Sequence, residues 1–196
     1  EMDGFQMTKS IKTNMATSHI SIILLTAKVA QSNIIEGLQY GADDYLSKPF
    51  SMAELQLRVK NRLRQLESIR HQWLETSTNL AVEETSTLNA LDQEFIEKLK
   101  NIVIKNIENE VDVTILSKEI GLSNSQLTRK LKVLIGVTPA NFIKNIQLNY
   151  ALALLRDGYS VSETCWKSGY TDPAYFSKIF KKHFGFLPSE KEKLKN

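Results

Sequence analysis

Cysteine is nearly absent. Cys165 is the only one in 196 residues, which excludes an internal disulfide and suits a reducing, cytoplasmic setting. Four prolines and eight glycines are too few for a collagen-like or Pro/Gly-rich disordered chain. Long apolar runs are also missing: the longest, "ISIILLTA" at 20–27, is far too short to cross a bilayer. No basic-then-apolar segment reads as a secretory signal. Histidine is scarce, and His19, His71 and His183 stand far apart. No nucleophile–base set, metal-ligand cluster or phosphate loop joins them, so neither enzymatic chemistry nor a small-molecule substrate is expected. His183 falls on an apolar stripe and is expected to pack, as is Cys165.

Acidic residues are sparse at one end. Residues 121–196 hold 12 Lys or Arg against 5 Asp or Glu, whereas residues 1–120 carry a net −4. A basic C-terminal block suits a polyanionic partner, most often nucleic acid.

The first third reads as α/β. "ISIILLT" is a β-branched run suited to a buried parallel strand, and "VAQSNIIEGLQYGA" is an amphipathic helix ending at glycine. "DDYLSK" predicts a second short strand. The next helix opens with Ser51 and Glu54 as a capping box and Phe50 with Leu55 as a hydrophobic staple. Its apolar stripe runs Leu55, Val59, Leu63, Leu66, Ile69, Trp73. The first turns are expected to pack on their own sheet, and the remainder either does the same or forms a homodimer seam. Asp43 and Asp44 read as solvated turn carboxylates. Residues 76–90, rich in Ser, Thr and Asn, read as a linker.

Beyond the linker the pattern is helical and duplicated. "GLSNSQLTRKLKVLIGVTP" at 121–139 resembles "GYTDPAYFSKIFKKHFGFLP" at 169–188. Gly136 to Gly185 and Pro139 to Pro188 are both 49 apart, and Gly121 to Gly169 is 48 apart. Upstream, Val113, Leu116 and Ser117 fall opposite Val161, Thr164 and Cys165. Each copy predicts short helix, glycine turn, second helix, over about 113–135 and 161–184. Ser123 and Asp172 suit the N-caps of the second helices, with Pro173 at N1. Leu127, Leu131, Leu134 and Ile135 make the first apolar stripe, and Phe176, Phe180, His183 and Phe184 the second.

Opposite those stripes the helical period places Ser125, Arg129 and Lys132, matched by Ala174, Lys178 and Lys181, with Thr128 and Ser177 on the flanks. Both faces are small and basic, able to approach a major groove closely. A solvated face is the bland alternative, but two matched faces on duplicated units favour double-stranded DNA. The segment 138–157 predicts one connecting helix through Phe142, Ile146, Leu148, Leu152 and Leu155. Its length of about 30 Å approaches one turn of B-DNA, about 34 Å.

Residues 92–190 resemble the AraC/XylS-type DNA-binding domain. The strongest likeness is in "VSETCWKSGYTDPAYFSKIFKKHFGFLPSE", and "LSKEIGLSNSQLTRKLKVLIGVTPANFI" follows the first unit. The resemblance implies a seven-helix domain over 91–196 that inserts the second helix of each unit into DNA. Base reading would fall to Ser125, Thr128 and Arg129, and to Ala174, Ser177 and Lys178. Departures are Cys165 for the usual alanine, Gln147 for the usual connector arginine, and Lys191 for the usual aromatic.

Residues 1–66 resemble the second half of a response-regulator receiver domain, with "MDGF" just after the phosphoacceptor strand. Thr26 matches the switch hydroxyl, Tyr45 the rotating aromatic and Lys48 the phosphate-contacting lysine, followed by Pro49, commonly cis in that family. The acidic pair and phosphoacceptor Asp would precede "MDGF", so no cofactor is expected in these residues, and Mg2+ only with the missing half. The expected architecture is therefore mainly α: an AraC-type domain preceded by a partial α/β receiver-like segment (1–75) and a long helix. Such a pairing resembles the end of bacterial hybrid two-component regulators, which places this chain as a C-terminal fragment of a parent sensor kinase, itself open to membrane anchoring. Two functions stay open: a DNA-binding transcription regulator of a phosphorelay, or an N-terminal segment that serves mainly in protein interaction and dimerisation without phosphorylation.

Overall fold

In the computed structural model, the described residues are 2–27, 40–76, 88–109, 111–190 and 193. The helix expected in 29–42 falls almost wholly outside them, as do most of the linker and Lys191. The described chain is mainly helical.

A helix that the sequence reading did not mark opens the chain. α1 (Gly4–Thr13) is closed by a capping box in which Asp3 accepts from the Gln6 N–H and the Gln6 side chain accepts from the Asp3 N–H. β1 (Ile23–Thr26) and β2 (Asp44–Ser47) pair in parallel, with Ile23 opposite Asp44 and Thr26 opposite Ser47. Leu46 is fully buried, while Leu25 on the neighbouring strand is 45% exposed.

Asp43 is not a solvated turn carboxylate. Its Oδ2 lies 2.5 Å from Lys12 Nζ and accepts from the Ile22 N–H at 2.8 Å, and Oδ1 lies 2.6 Å from Arg62. Asp44 pairs with Arg58 at 2.6 Å. Cations on α1 and on the following helix converge on this turn, and a carboxylate held by two of them need not face water. Proximity of charges from three separate segments is invisible in the local sequence.

α2 (Met52–Thr76) is one long helix of 25 residues. The Ser51 hydroxyl accepts from the Glu54 N–H at 3.1 Å, but the Glu54 carboxylate turns to Arg58, at 3.7 Å. The stripe along α2 divides differently from expectation. Leu55 is half-buried, and Val59 and Leu63 are exposed, so the first turns are not sealed against their own sheet. Leu66, Ile69 and Trp73 are buried instead. Only these last turns reach the helices that follow the linker, and there they find apolar partners.

Those helices are α3 (Ala90–Lys105), α4 (Val113–Ile120), α5 (Asn124–Ile135), α6 (Pro139–Arg156), α7 (Val161–Lys167) and α8 (Pro173–Phe184). They form two cores. The first gathers Trp73, Phe95, Leu99, Leu116, Leu127 and Phe142 with their neighbours. The second gathers Leu148, Leu152, Cys165, Phe176 and Phe180. α6 belongs to both: Phe142, Ile143 and Ile146 enter the first, and Leu148, Ala151, Leu152 and Leu155 the second. At 18 residues it spans about 27 Å.

Candidate nucleic-acid interface

Both helix pairs are built by the same local chemistry. In the first, the Leu122 N–H donates to the Ser117 carbonyl at 2.9 Å, with Gly121 at φ 74. In the second, the Tyr170 N–H donates to the Cys165 carbonyl at 3.0 Å, with Gly169 at φ 82. A left-handed glycine with a bond spanning five residues ends each first helix and reverses the chain. Ser123 then caps α5 through a capping box with Gln126. Asp172 caps α8, accepting from the Ala174 and Tyr175 N–H groups at 2.8 and 3.2 Å. The Ser117 hydroxyl also donates to Asn124 Oδ1, tying α4 to the start of α5.

Each second helix buries its apolar stripe. Leu127, Leu131, Leu134 and Ile135 are buried on α5, and Phe176 and Phe180 on α8, with His183 and Phe184 half-buried beside them. The opposite sides face outward. Ser125, Arg129 and Lys132 are exposed on α5, as are Ala174, Lys178 and Lys181 on α8. Thr128 and Ser177 sit half-exposed at matched positions, their hydroxyls bonded to Asn124 O at 2.7 Å and Pro173 O at 2.8 Å. These carbonyl bonds tether both hydroxyls to their own helices. Lys181 and Lys182 load the last turn of α8 with positive charge, where the helix dipole favours it.

Cys165 is wholly buried, its thiol against the Tyr170 carbonyl at 3.4 Å, and burial pushes its pKa up. It packs α7 against α8 as a small apolar group.

The receiver-like residues stand elsewhere. Thr26 ends β1 and pairs with Ser47, and the Lys48 N–H donates to the Thr26 carbonyl at 2.7 Å. Lys48 is exposed before a cis peptide to Pro49, and half-buried Tyr45 lies under the Arg58 guanidinium, 6.0 Å from its ring centre. Asp43 and Asp44 are committed to Lys12, Arg62 and Arg58, so this pair does not fit a metal.

One charged residue on α5 escaped the sequence reading. Lys130 is wholly buried, and its ammonium lies 2.8 Å from Asp92 of α3. Its position was legible: three residues after Leu127 and four before Leu134, it lies along the apolar stripe. A lysine there demands a buried carboxylate.

Residues 116–193 match the helix-turn-helix domain family, and residues 1–60 match the response regulator receiver domain family. Over 192 residues, 97% of its length, the chain is 35% identical to Histidine kinase P4 of Formosa agariphila, of which it spans 14%. It is 47% identical over 68 residues to the transcriptional regulatory protein SrrA of Staphylococcus aureus, which is 35% of this chain and 27% of that protein. Among solved structures, an AraC-type transcriptional regulator from Chromobacterium violaceum aligns with 54% of this chain and 95% of its own, at 25% identity and a TM-score of 0.49. No described helix is long and apolar enough to cross a membrane.

Proposed function

We propose that this chain, which joins receiver-domain sequence at 1–60 to a helix-turn-helix domain at 116–193, is the DNA-reading end of a two-component transcription regulator. The observation that carries this reading is the matched pair of exposed faces on α5 and α8. Arg129 and Lys178 head them, with Ser125, Thr128 and Lys132 on one side and Ala174, Ser177 and Lys181 on the other. Each helix enters a major groove, and α6, about 27 Å long, sets the two in successive grooves of one duplex face. Phosphates are met by the exposed lysines and bases by Ser125, Thr128, Arg129, Ala174, Ser177 and Lys178. Two reading helices in one chain bind both half-sites without a dimer.

The receiver segment is the second half of a phosphorylation domain within a hybrid sensor-kinase parent, working in the bacterial cytoplasm. Mg2+ and the phosphoacceptor belong to the other half of that domain, while Thr26, Tyr45 and Lys48 are the switch and phosphate-contact set on this side. A second reading has one supporting observation: Met52, Val59 and Leu63 leave an exposed apolar line along α2, which suits homodimerisation or another protein contact.

Selection of bound duplexes from a random pool tests the main reading. Enriched duplexes should carry two half-sites about 10 base pairs apart, with affinity falling steeply as salt rises. A pool that never enriches, or binding insensitive to salt, refutes it.

A further inference from the structure

The loop that follows α1, residues 14–22, reaches the buried side of α5. Lys130 Nζ donates to the Met15 carbonyl at 2.5 Å and to Ser18 Oγ at 2.8 Å, besides its 2.8 Å contact with Asp92. Ser18 Oγ itself donates to Asp92 Oδ1 at 2.6 Å, and Asp92 Oδ2 accepts from Asn89 at 2.8 Å. Three acceptors therefore satisfy the three N–H bonds of one ammonium, and two of them come from the receiver segment. Ser18 is wholly buried and His19 beside it is 6% exposed. The ammonium also sits 4.3 Å from the Phe95 ring centre. Two further contacts from α2 frame the same helix: Arg70 Nε donates to the Val133 carbonyl at 3.2 Å, and Leu66, Ile69 and Leu134 are buried together around the junction.

Arg129 adjoins Lys130 in sequence, about 100° around α5, yet the two differ sharply in burial. One is exposed and the other has no exposure at all. The receiver segment thus grips the back of the helix and leaves its outward face open. We propose that the 14–22 loop is a docking clamp through which the receiver segment holds α5 in its DNA-reading pose, so that release of the loop weakens binding at the first half-site selectively. α8 shares none of these contacts, because its core is the separate one built on Phe176 and Phe180. Docking therefore acts on one of the two half-sites. The charged centre gives the clamp its switch character. Undocked, Lys130 loses two of three partners and must recruit water, so α5 has two distinct environments rather than a continuum.

The proposal rests on the DNA-reading role of α5, and its test separates the two ideas. Ser18→Leu and Ser18→Ala variants of the full chain are compared with wild type by amide hydrogen exchange. Binding is then measured on duplexes from the selected pool with either half-site scrambled. Ser18→Leu should speed exchange in 124–135 at least tenfold while leaving 173–184 unchanged. It should weaken binding about tenfold on the duplex retaining the α5 half-site, and less than twofold on the one retaining the α8 half-site. Ser18→Ala should move both readouts in the same sense and carries the test alone if the leucine variant does not fold. Unchanged exchange in 124–135 overturns the clamp. Faster exchange with undiminished first half-site affinity overturns the coupling, as does an equal loss at both half-sites. A pool that yields no bound duplex refutes the DNA-reading role, and exchange still decides whether the loop is docked.

Discussion

The indole of Trp73 lies nearly parallel to the ring of Phe142, with centroids 5.9 Å apart and planes 12° from one another. Trp73 ends the long helix of the N-terminal segment, and Phe142 opens the helix that connects the two helix-turn-helix units. The stack makes the end of α2 part of the first core, although 69 positions separate Trp73 from Phe142 in sequence.

Removing that ring should be felt throughout the first unit. Trp73 is 7% exposed and Phe142 not at all, so Trp73→Ala leaves a cavity costing about 3–5 kcal/mol. Urea unfolding followed by circular dichroism checks this, and a loss under about 1 kcal/mol would mean that α2 does not dock. The stripe Leu55 to Trp73 was legible as helical, but its partners were not. Periodicity identifies an apolar side without saying what covers it, and here the cover changes from open space at Val59 and Leu63 to a second domain at Leu66, Ile69 and Trp73. The duplicated units read more completely because their caps, glycine turns and stripes are local chemistry at fixed spacing. The buried charges were misread or missed for the opposite reason. Asp43 and Lys130 take their partners from segments 31 and 38 residues away, Lys12 and Asp92, and no local pattern contains that.

Gly169 and Gly121 occupy equivalent turns but should not tolerate alanine equally. A Cβ at Gly169 would lie 2.3 Å from the Ile107 carbonyl oxygen and 2.9 Å from Gln147 Nε2, whereas at Gly121 nothing lies within 4 Å. Both have positive φ, so each alanine costs about 1–2 kcal/mol in backbone strain. Gly169→Ala must also displace backbone, which adds a further penalty. Thermal melts of the two variants should show clearly the larger drop for Gly169→Ala, and equal drops would refute the close approach of the α3–α4 turn to α7.

Arg129→Ala and Lys178→Ala should each weaken binding to a selected duplex by about 1–3 kcal/mol and relax preference at distinct base positions. Lys132→Ala and Lys181→Ala should instead lower affinity for all duplexes alike and reduce the salt slope by about one counterion each. Fluorescence anisotropy over a salt series distinguishes the two patterns. Neither reading face survives if all four variants bind with wild-type affinity and preference.

Acid should loosen the junction between segments through His19. The imidazole is buried with Nδ1 unpartnered. Burial foremost, then the positive charges of Lys130, Arg129 and Lys12, hold its pKa below the ordinary 6.5, while Asp92 opposes them. A histidine with a depressed folded pKa is neutral in the docked state, and the released form takes up the proton more readily. Stability is therefore full above about pH 6.5 and falls as pH drops below it. Hydrogen exchange in residues 14–22 between pH 7.5 and 5.5, corrected for intrinsic rates, should show this opening in wild type and not in His19→Gln. An identical pH response in both proteins assigns the effect to another group.

The Lys130–Asp92 pair should behave as a unit. Desolvation lowers the lysine pKa and the Asp92 hydrogen bond and charge restore part of it, so the ion is kept only because its partner is present. Lys130→Met leaves the Asp92 carboxylate buried with donors from Ser18 and Asn89 but no counter-charge, and Asp92→Leu strands the ammonium. Each single change should cost about 3–5 kcal/mol, whereas replacing both with apolar groups of similar size removes the need for either charge. The double variant should accordingly lose far less than the two singles combined, and it should retain the stack of Trp73 on Phe142. It should still lose the receiver clamp, because Ser18 and the Met15 carbonyl no longer meet an ammonium. Urea denaturation of the four proteins gives the coupling energy, and strictly additive losses would show that the two charges do not depend on one another.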